Sequence, residues 1–455
     1  MGRAHGIGCA RSLGNVICEP YDGSQTGRQL TTEAAPEEAP PSRLARGLRQ
    51  LGPGLITGAA DDDPSGIATY SQAGAQFGFS MLWTVVFTLP LMAAIQIVSA
   101  RIGHVTRHGL AANIKASFPR PVVLGVVGLL LVANTLNVAA DIAAMAEALR
   151  LLAGGRAHVY AVGFGLLCLG LQVFVPYKSY VRALKWLTLA LLAYVAVAFT
   201  LHVDWRRVAS ELVHPRLPAS HDVLLTVVAV FGTTISPYLF FWLAAQEMED
   251  ASAHPGRATP ATVRRHLRRI KLDTIVGMTF SNLIAFFIIL STAATLHAAG
   301  VTDIQTSAQA AEALRPLAGE LTFLLFTLGI VGTGMLAVPV LAGSAAYAVA
   351  EAAGWRGSLS LHLDRGEGRG FYGVIAAATV GGVLLGFAPI DPVRELFWSA
   401  VLNGVIAVPI MAVMMLLASR RATMGEHVIG PRLRWLGWIA TGAMGAVVAA
   451  MLLTL

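Results

Sequence analysis

After about residue 50, apolar runs of about 20 residues recur almost to the end of the chain. A helix of that length crosses roughly 30 Å of hydrocarbon, so each run is predicted to be a transmembrane helix. Eleven are expected, near 51–78, 80–103, 121–153, 158–176, 183–203, 222–247, 272–298, 319–352, 371–388, 393–418 and 435–454. The fold class that follows is an all-α polytopic membrane protein. Residues 1–42 mix Gly, Pro, Ser, Glu and Arg without an apolar run, so they read as a disordered cytoplasmic tail ahead of a transmembrane domain over 43–455.

Two runs are interrupted at their centres. The first, GPGLITGAADDDPSGIATYSQAGAQFG, carries three consecutive Asp followed by Pro64, Ser65 and Gly66; the sixth, VVAVFGTTISPYLFFWLAAQ, is broken around Ser236, Pro237 and Tyr238. Proline removes a backbone donor and clashes with the preceding turn, and glycine lets the chain leave helical geometry. Helices 1 and 6 are therefore predicted to be discontinuous. They open two groups of five spans, which is where a transporter built from two inverted five-helix repeats has its broken helices and its midplane binding site. A lone Pro often does no more than kink a membrane helix, and it is the matched pair that points to a site.

Composition agrees with a membrane setting. Hydrophobic residues make up 55% of the 455 and charged residues only 13%, more apolar surface than one soluble core can hide. The net charge of +7 would suit nucleic acid, but sorting the 33 Lys and Arg by predicted loop puts 26 on the side of the N-terminus and 7 opposite. Cytoplasmic loops hold such an excess, so the N-terminus is expected inside and the C-terminus outside, with no nucleic-acid partner. Cys9, Cys18 and Cys168 are too few and scattered for a disulfide framework or metal knuckle. No phosphate-binding loop is present, which argues against an ATP-driven pump.

Candidate chemistry begins with Asp61, Asp62 and Asp63, since a carboxylate at membrane depth is costly unless it faces a cavity, a partner or a cation. Asp63 can also cap the helix that Pro64 begins, and capping is compatible with ion binding. Unwinding there frees backbone carbonyls, and carboxylate plus carbonyl oxygen suits a hard divalent cation. Ser65, Thr69, Gln72 and Gln76 then line one helical face, either as a polar pathway or as interhelical contacts. In the third span Asn134, Asn137 and Asp141 form another polar stripe, and Asp141 is a candidate to relay protons, pair with a base or bind an ion.

Taken together, these residues resemble the Nramp (natural resistance-associated macrophage protein) family of proton-coupled divalent metal transporters over nearly the whole chain after residue 50. The first span is similar to the family helix with its DPGN signature, and RRIKLDT (Arg268 to Thr274) and SRRATMG (Ser419 to Gly425) are similar to less specific segments. The resemblance implies that Asp63 is a metal ligand and Pro64 the family Pro, with Ser65 and Gly66 standing for the family's Gly and metal-binding Asn. It aligns the family's MPH motif with Ser236, Pro237 and Tyr238, places Thr233 where a backbone carbonyl meets the metal, and gives Asp141 the proton pathway. A nearby family Glu is matched by Ala144.

The departures have consequences. Ser236 offers a hard oxygen where the family has the soft thioether of Met, which weakens discrimination against Mg²⁺ and Ca²⁺ and favours Mn²⁺ or hydrated Mg²⁺ over Fe²⁺ or Cd²⁺. Tyr238 removes a His that titrates near neutrality, so proton coupling is the inherited property most exposed to change. The expected activity is import of a divalent metal cation, Mn²⁺ or a relative such as Mg²⁺, with H⁺, by alternating access. No enzymatic activity and no resident cofactor is expected, the metal being substrate. The alternative is an amino-acid or amine transporter on the same architecture. A prokaryotic inner membrane is the expected location, and the oligomeric state is left open.

Overall fold

The structure is a computed structural model that describes residues 7–12, 15–20, 57–58, 60–175, 188–201, 203–214, 220–253, 260–359, 361, 368–387 and 391–454. The chain divides into two units, Met1–Leu48 and Arg49–Leu455. In the first, β1 (Ile7–Ser12) and β2 (Asn15–Pro20) pair antiparallel, with Ile7 opposite Pro20 and Ser12 opposite Asn15.

The second unit is helical. Its longer helices are α1 (Pro64–Phe77), α2 (Leu82–Thr106), α3 (Arg120–Ala153), α4 (Ala157–Phe174), α5 (Leu192–Thr200) and α6 (His221–Thr234). These are followed by α7 (Pro237–Ala253), α8 (Pro260–Thr292), α9 (Thr322–Ala353), α10 (Arg369–Leu385), α11 (Pro392–Ala418) and α12 (Pro431–Leu453). Their ends follow local chemistry. Asp63, Ser220 and Asp391 accept hydrogen bonds from the first-turn amides of α1, α6 and α11. Gly78, Gly154 and Gly354 end α1, α3 and α9 at positive φ, where an L side chain is strained.

By length and apolarity, eight helices among the described residues can cross a membrane, or nine if the bent pair Leu189–Thr200 and Trp205–Val213 is one span. Counted this way the described residues do not reach the eleven read from the sequence, for specific reasons. The first and second predicted spans share one helical stretch, Pro64–Thr106, joined through a 3₁₀ turn at Gly78–Met81. The ninth is the shorter α10, and the fifth includes residues 183–187, which lie outside the described residues.

Burial sorts the helices. The stretch His221–Ser252, which contains the second break, is buried nearly throughout, whereas α4 and α12 turn most of their surface outward. Leu166 and Phe174 on α4, Leu384 on α10 and Trp435 on α12 are among the exposed apolar side chains. An apolar exterior around a core that holds buried Asp, Asn and Thr is the arrangement of an integral membrane protein. The core is built on close backbone approach: a Cβ on Gly58 would overlap the backbone of Gly277 on α8, and one on Gly232 of α6 would overlap Ala400 and Gly404 on α11.

Candidate functional site

Two prolines set the geometry. In a helix, the carbonyl of residue i accepts from the N–H of residue i+4, and proline has none. Pro64 therefore leaves the carbonyl of Ala60 without its helical donor, and Pro237 does the same to Thr233. The backbone leaves helical geometry at Asp62–Asp63 and again at Ile235–Ser236, immediately after which α1 and α7 respectively begin. In each break a side-chain hydroxyl takes the place of the missing amide. Tyr238 Oη donates to Ala60 O at 3.0 Å, and Ser236 Oγ donates to Thr233 O at 2.6 Å, with Gly232 O at 3.1 Å.

Asp63 sits in the first break, 1% exposed. Its Oδ1 accepts from the Gly66 amide at 2.8 Å and from Ser65 Oγ at 2.6 Å, which caps α1, and its Oδ2 accepts from Tyr238 Oη at 3.3 Å. Gly66 thus contributes an amide to the cap and no side chain. Its missing Cβ matters for packing, because one built there would lie 3.2 Å from Thr233 Oγ1 and 3.3 Å from the Tyr70 ring. Tyr70 Oη and Thr234 Oγ1 add a 3.0 Å hydrogen bond between α1 and α6. The two breaks consequently face each other, joined by Tyr238–Asp63, Tyr238–Ala60, Tyr70–Thr234 and the approach at Gly66.

The other two acids of the triplet turn to α8. Ser281 Oγ lies 2.6 Å from Asp61 Oδ2 and 3.0 Å from Asp62 Oδ1, held there by the Gly58–Gly277 approach one turn away on both elements. A hydroxyl has one proton, so it cannot donate to both at once. Asp61 Oδ1 has no hydrogen-bond partner.

Asp141 on α3 is fully buried and neither of its oxygens has a hydrogen-bond partner. The rest of its stripe is engaged. Asn137 and Asn403 of α11 exchange reciprocal amide bonds at 3.0 and 3.1 Å, and Asn134 donates to Leu341 O and Ser344 Oγ of α9, both at 2.8 Å. Gln72 is likewise taken up by the backbone of Thr302 and Ile304, whereas Thr69 Oγ1 and Thr233 Oγ1 are buried without partners. Glu147 pairs with Arg150. Among the described residues no Lys or Arg pairs with Asp61, Asp62, Asp63 or Asp141, and no group of three or more His, Cys, Asp or Glu is placed to hold a metal ion.

Several participants were not visible from sequence patterns. Ser281 and Asn403 sit in otherwise apolar runs, and the polar residue in such a run was the available signal. The carbonyl of Ala60 could have been found by counting four residues back from Pro64.

Comparison with known proteins places the chain in a family. The family model described as natural resistance-associated macrophage protein-like (Nramp) matches residues 54–454. A "Divalent metal cation transporter MntH" of Pectobacterium carotovorum subsp. carotovorum is 28% identical over 306 residues, 63% of this chain and 68% of that protein. Its namesake in Verminephrobacter eiseniae is 29% identical over 299 residues, 62% of this chain and 64% of that protein. Each match thus spans about two thirds of the relative's own length. Among solved structures, the manganese transporter of Eremococcus coleocola, in complex with an aromatic bis-isothiourea compound, superposes with a TM-score of 0.68 at 17% identity, covering 93% of this chain and 91% of that one. Mhp1, a nucleobase-cation-symport-1 family transporter in a closed conformation, does so with a TM-score of 0.53 at 15% identity, covering 88% and 91%. At such identities these likenesses speak for the fold alone. The family match runs over the whole helical unit and both breaks, and by it the chain belongs to the Nramp family.

Proposed function

We propose that this protein is a secondary transporter that imports a divalent metal cation by alternating access, with the ion held between the two helix breaks. The observation that carries the reading is that the two proline breaks face each other, one holding the buried carboxylate Asp63 and the freed carbonyl of Ala60, the other the freed carbonyl of Thr233. Carboxylate and carbonyl oxygens without thiolate or imidazole are a hard donor set, suited to Mn²⁺ or Mg²⁺. The relatives described as divalent metal cation transporters support the same class of substrate.

In this reading Asp63 is the principal ligand and Thr233 supplies its carbonyl. Ser236 supplies lone pairs from a hydroxyl whose proton stays on Thr233 O, and Gly66 lets α1 and α6 approach. Asp141, buried beside the site with no hydrogen-bond partner, is the proton carrier. Two inverted five-helix halves rock around the site, in a prokaryotic inner membrane with the N-terminus cytoplasmic and the C-terminus outside, as the Lys and Arg distribution favours. The rival amino-acid substrate fits less well. Its carboxylate would meet three buried acids and no paired cation.

The test is uptake into proteoliposomes of Mn²⁺, Mg²⁺ and Ca²⁺, with and without an inward proton gradient and with amino acids as competitors. Metal flux that the gradient accelerates and amino acids leave unchanged is expected. Amino-acid uptake with no metal flux would overturn the substrate class, and metal flux indifferent to the gradient would remove Asp141 from the mechanism.

A further inference from the structure

The candidate ligands of the first break are covered by hydrogen bonds within the protein. Of the two oxygens of Asp63, Oδ1 is committed to capping α1, through Gly66 and Ser65, and only Oδ2 is open toward the opposite break. That oxygen and Ala60 O are both covered by a single group, the Tyr238 hydroxyl, at 3.3 and 3.0 Å. Tyr238 is wholly buried and stands at the second residue of α7, so its ring spans from one break to the other. A cation cannot take Asp63 Oδ2 and Ala60 O while a phenolic proton points at them. A phenol has one proton to give, and of its two acceptors Ala60 O at 3.0 Å lies at the long end of the O–H···O range and Asp63 Oδ2 at 3.3 Å beyond it, so the contact is weak enough to be displaced.

We propose that the Tyr238 hydroxyl competes with the substrate ion: it stands in for the ion between Asp63 Oδ2 and Ala60 O in the empty transporter and must yield when the ion binds. This rests on the reading of Asp63 as an ion ligand and adds a residue that sets affinity. The contact satisfies a buried carboxylate and a buried carbonyl that would otherwise be orphaned whenever the ion leaves. It also taxes every cation alike, because what is lost on binding is the same protein hydrogen bond whichever ion arrives. Tyr238 should therefore lower affinity without choosing between ions, in contrast to a residue that recognises the waters of a hydrated ion, which would favour Mg²⁺.

The test is equilibrium binding of Mn²⁺ and of Mg²⁺ to purified wild type, Tyr238→Phe and Asp63→Ala, read by calorimetry. Removing the hydroxyl alone should tighten both ions by about three- to tenfold, the low end for a lost hydrogen bond because the contact is long and shared. The Mn²⁺ to Mg²⁺ ratio should not change. Weaker Mg²⁺ with unchanged Mn²⁺ would make Tyr238 a partner of the hydration shell, and unchanged binding of both would show that the contact does not oppose the ion; either result overturns the proposal. Asp63→Ala keeps the two failures apart. If it binds ions like the wild type, the site assignment itself is wrong. Should the Phe variant fold poorly, infrared difference spectra of wild type with ring-labelled tyrosine give a second reading. On Mn²⁺ addition a phenol C–O band should shift as the hydroxyl leaves a carboxylate, and no tyrosine band change would refute displacement.

Discussion

Asp63 is asked to do two jobs that substitution can separate. Its Oδ1 caps α1 through Gly66 N, and its charge is the anionic element of the proposed ion shell. Asn caps a helix about as well as Asp but carries no charge, whereas Ala does neither. In Asp63→Ala the cap is lost, and the hydroxyls of Ser65 and Tyr238 lose an acceptor in a buried site. A cap is worth about 1 kcal/mol and each buried hydrogen bond a similar amount, so the Ala variant should be destabilised by about 2–4 kcal/mol. The Asn variant should stay within about 1 kcal/mol of wild type. For the ion, a divalent charge at contact with a carboxylate gains on the order of 10 kcal/mol at an effective dielectric near 20, before dehydration is set against it. A net third of that is more than a hundredfold in affinity, so both variants should lose transport. Thermal unfolding in detergent and Mn²⁺ uptake by proteoliposomes measure the two effects on the same preparations. The expected pattern is Asn stable and inactive, Ala less stable and inactive. Uptake by Asp63→Asn near the wild-type rate would refute the role of the charge, and equal melting of the two variants would refute the cap.

Three further outcomes follow from the packing and from the acid on α3. Asn403→Ala should cost about 1 kcal/mol by orphaning Asn137, and a double-mutant cycle with Asn137→Ala should return a coupling of about 0.5–1.7 kcal/mol in denaturant titration; a coupling near zero would mean the reciprocal pair holds nothing. Gly232→Ala should sharply reduce the yield of monodisperse protein, because the new Cβ meets the backbone of α11 and overpacking of that kind costs about 1–3 kcal/mol or more, whereas Gly128→Ala, with open space around it, should be neutral or slightly stabilising in the same assay. Asp141→Asn should retain metal uptake while losing its acceleration by an inward proton gradient; full acceleration in the variant would assign the proton to another group.

The membrane-spanning character and the positions of both breaks were legible because they depend on local properties, namely the length of apolar runs and the chemistry of Pro, Gly and Asp. Pro64 and Pro237 announce freed carbonyls whatever surrounds them. What the helices do with those carbonyls was not legible. That Tyr238 reaches across to Asp63 and Ala60, 175 and 178 residues away in sequence, depends on how α1 and α7 pack. The same is true of Asn137, whose partner Asn403 lies 266 residues on, and of Asp61 and Asp62, which share Ser281. The lower number counted by length and apolarity has a different cause. Hydropathy divides the apolar stretch at Gly78, where α1 does end, but only a short 3₁₀ turn separates α1 from α2, so Pro64–Thr106 counts as one stretch.

A transporter's site has a constraint that a storage or structural metal site does not, since it must be polar enough to bind the ion and still be tolerable when empty. Structural sites satisfy only the first condition, with three or four charged or imidazole side chains that repel or lie orphaned once the metal is gone. Here the described residues contain no such cluster; in the proposed site one carboxylate is joined by backbone carbonyls, whose number is fixed by prolines rather than by side chains. Each freed carbonyl has a hydroxyl within reach, Ser236 for Thr233 and Tyr238 for Ala60, so neither carbonyl needs an ion to be paired. That explains why hydroxyl residues are chemically competent at the two positions flanking Pro237. A thioether has no proton to return to a carbonyl, whereas Ser and Tyr can donate in the empty state and either share lone pairs or withdraw in the loaded one. On the proposed reading, binding and release differ by an exchange of one set of oxygen contacts for another, and a difference of that size keeps the ion moving.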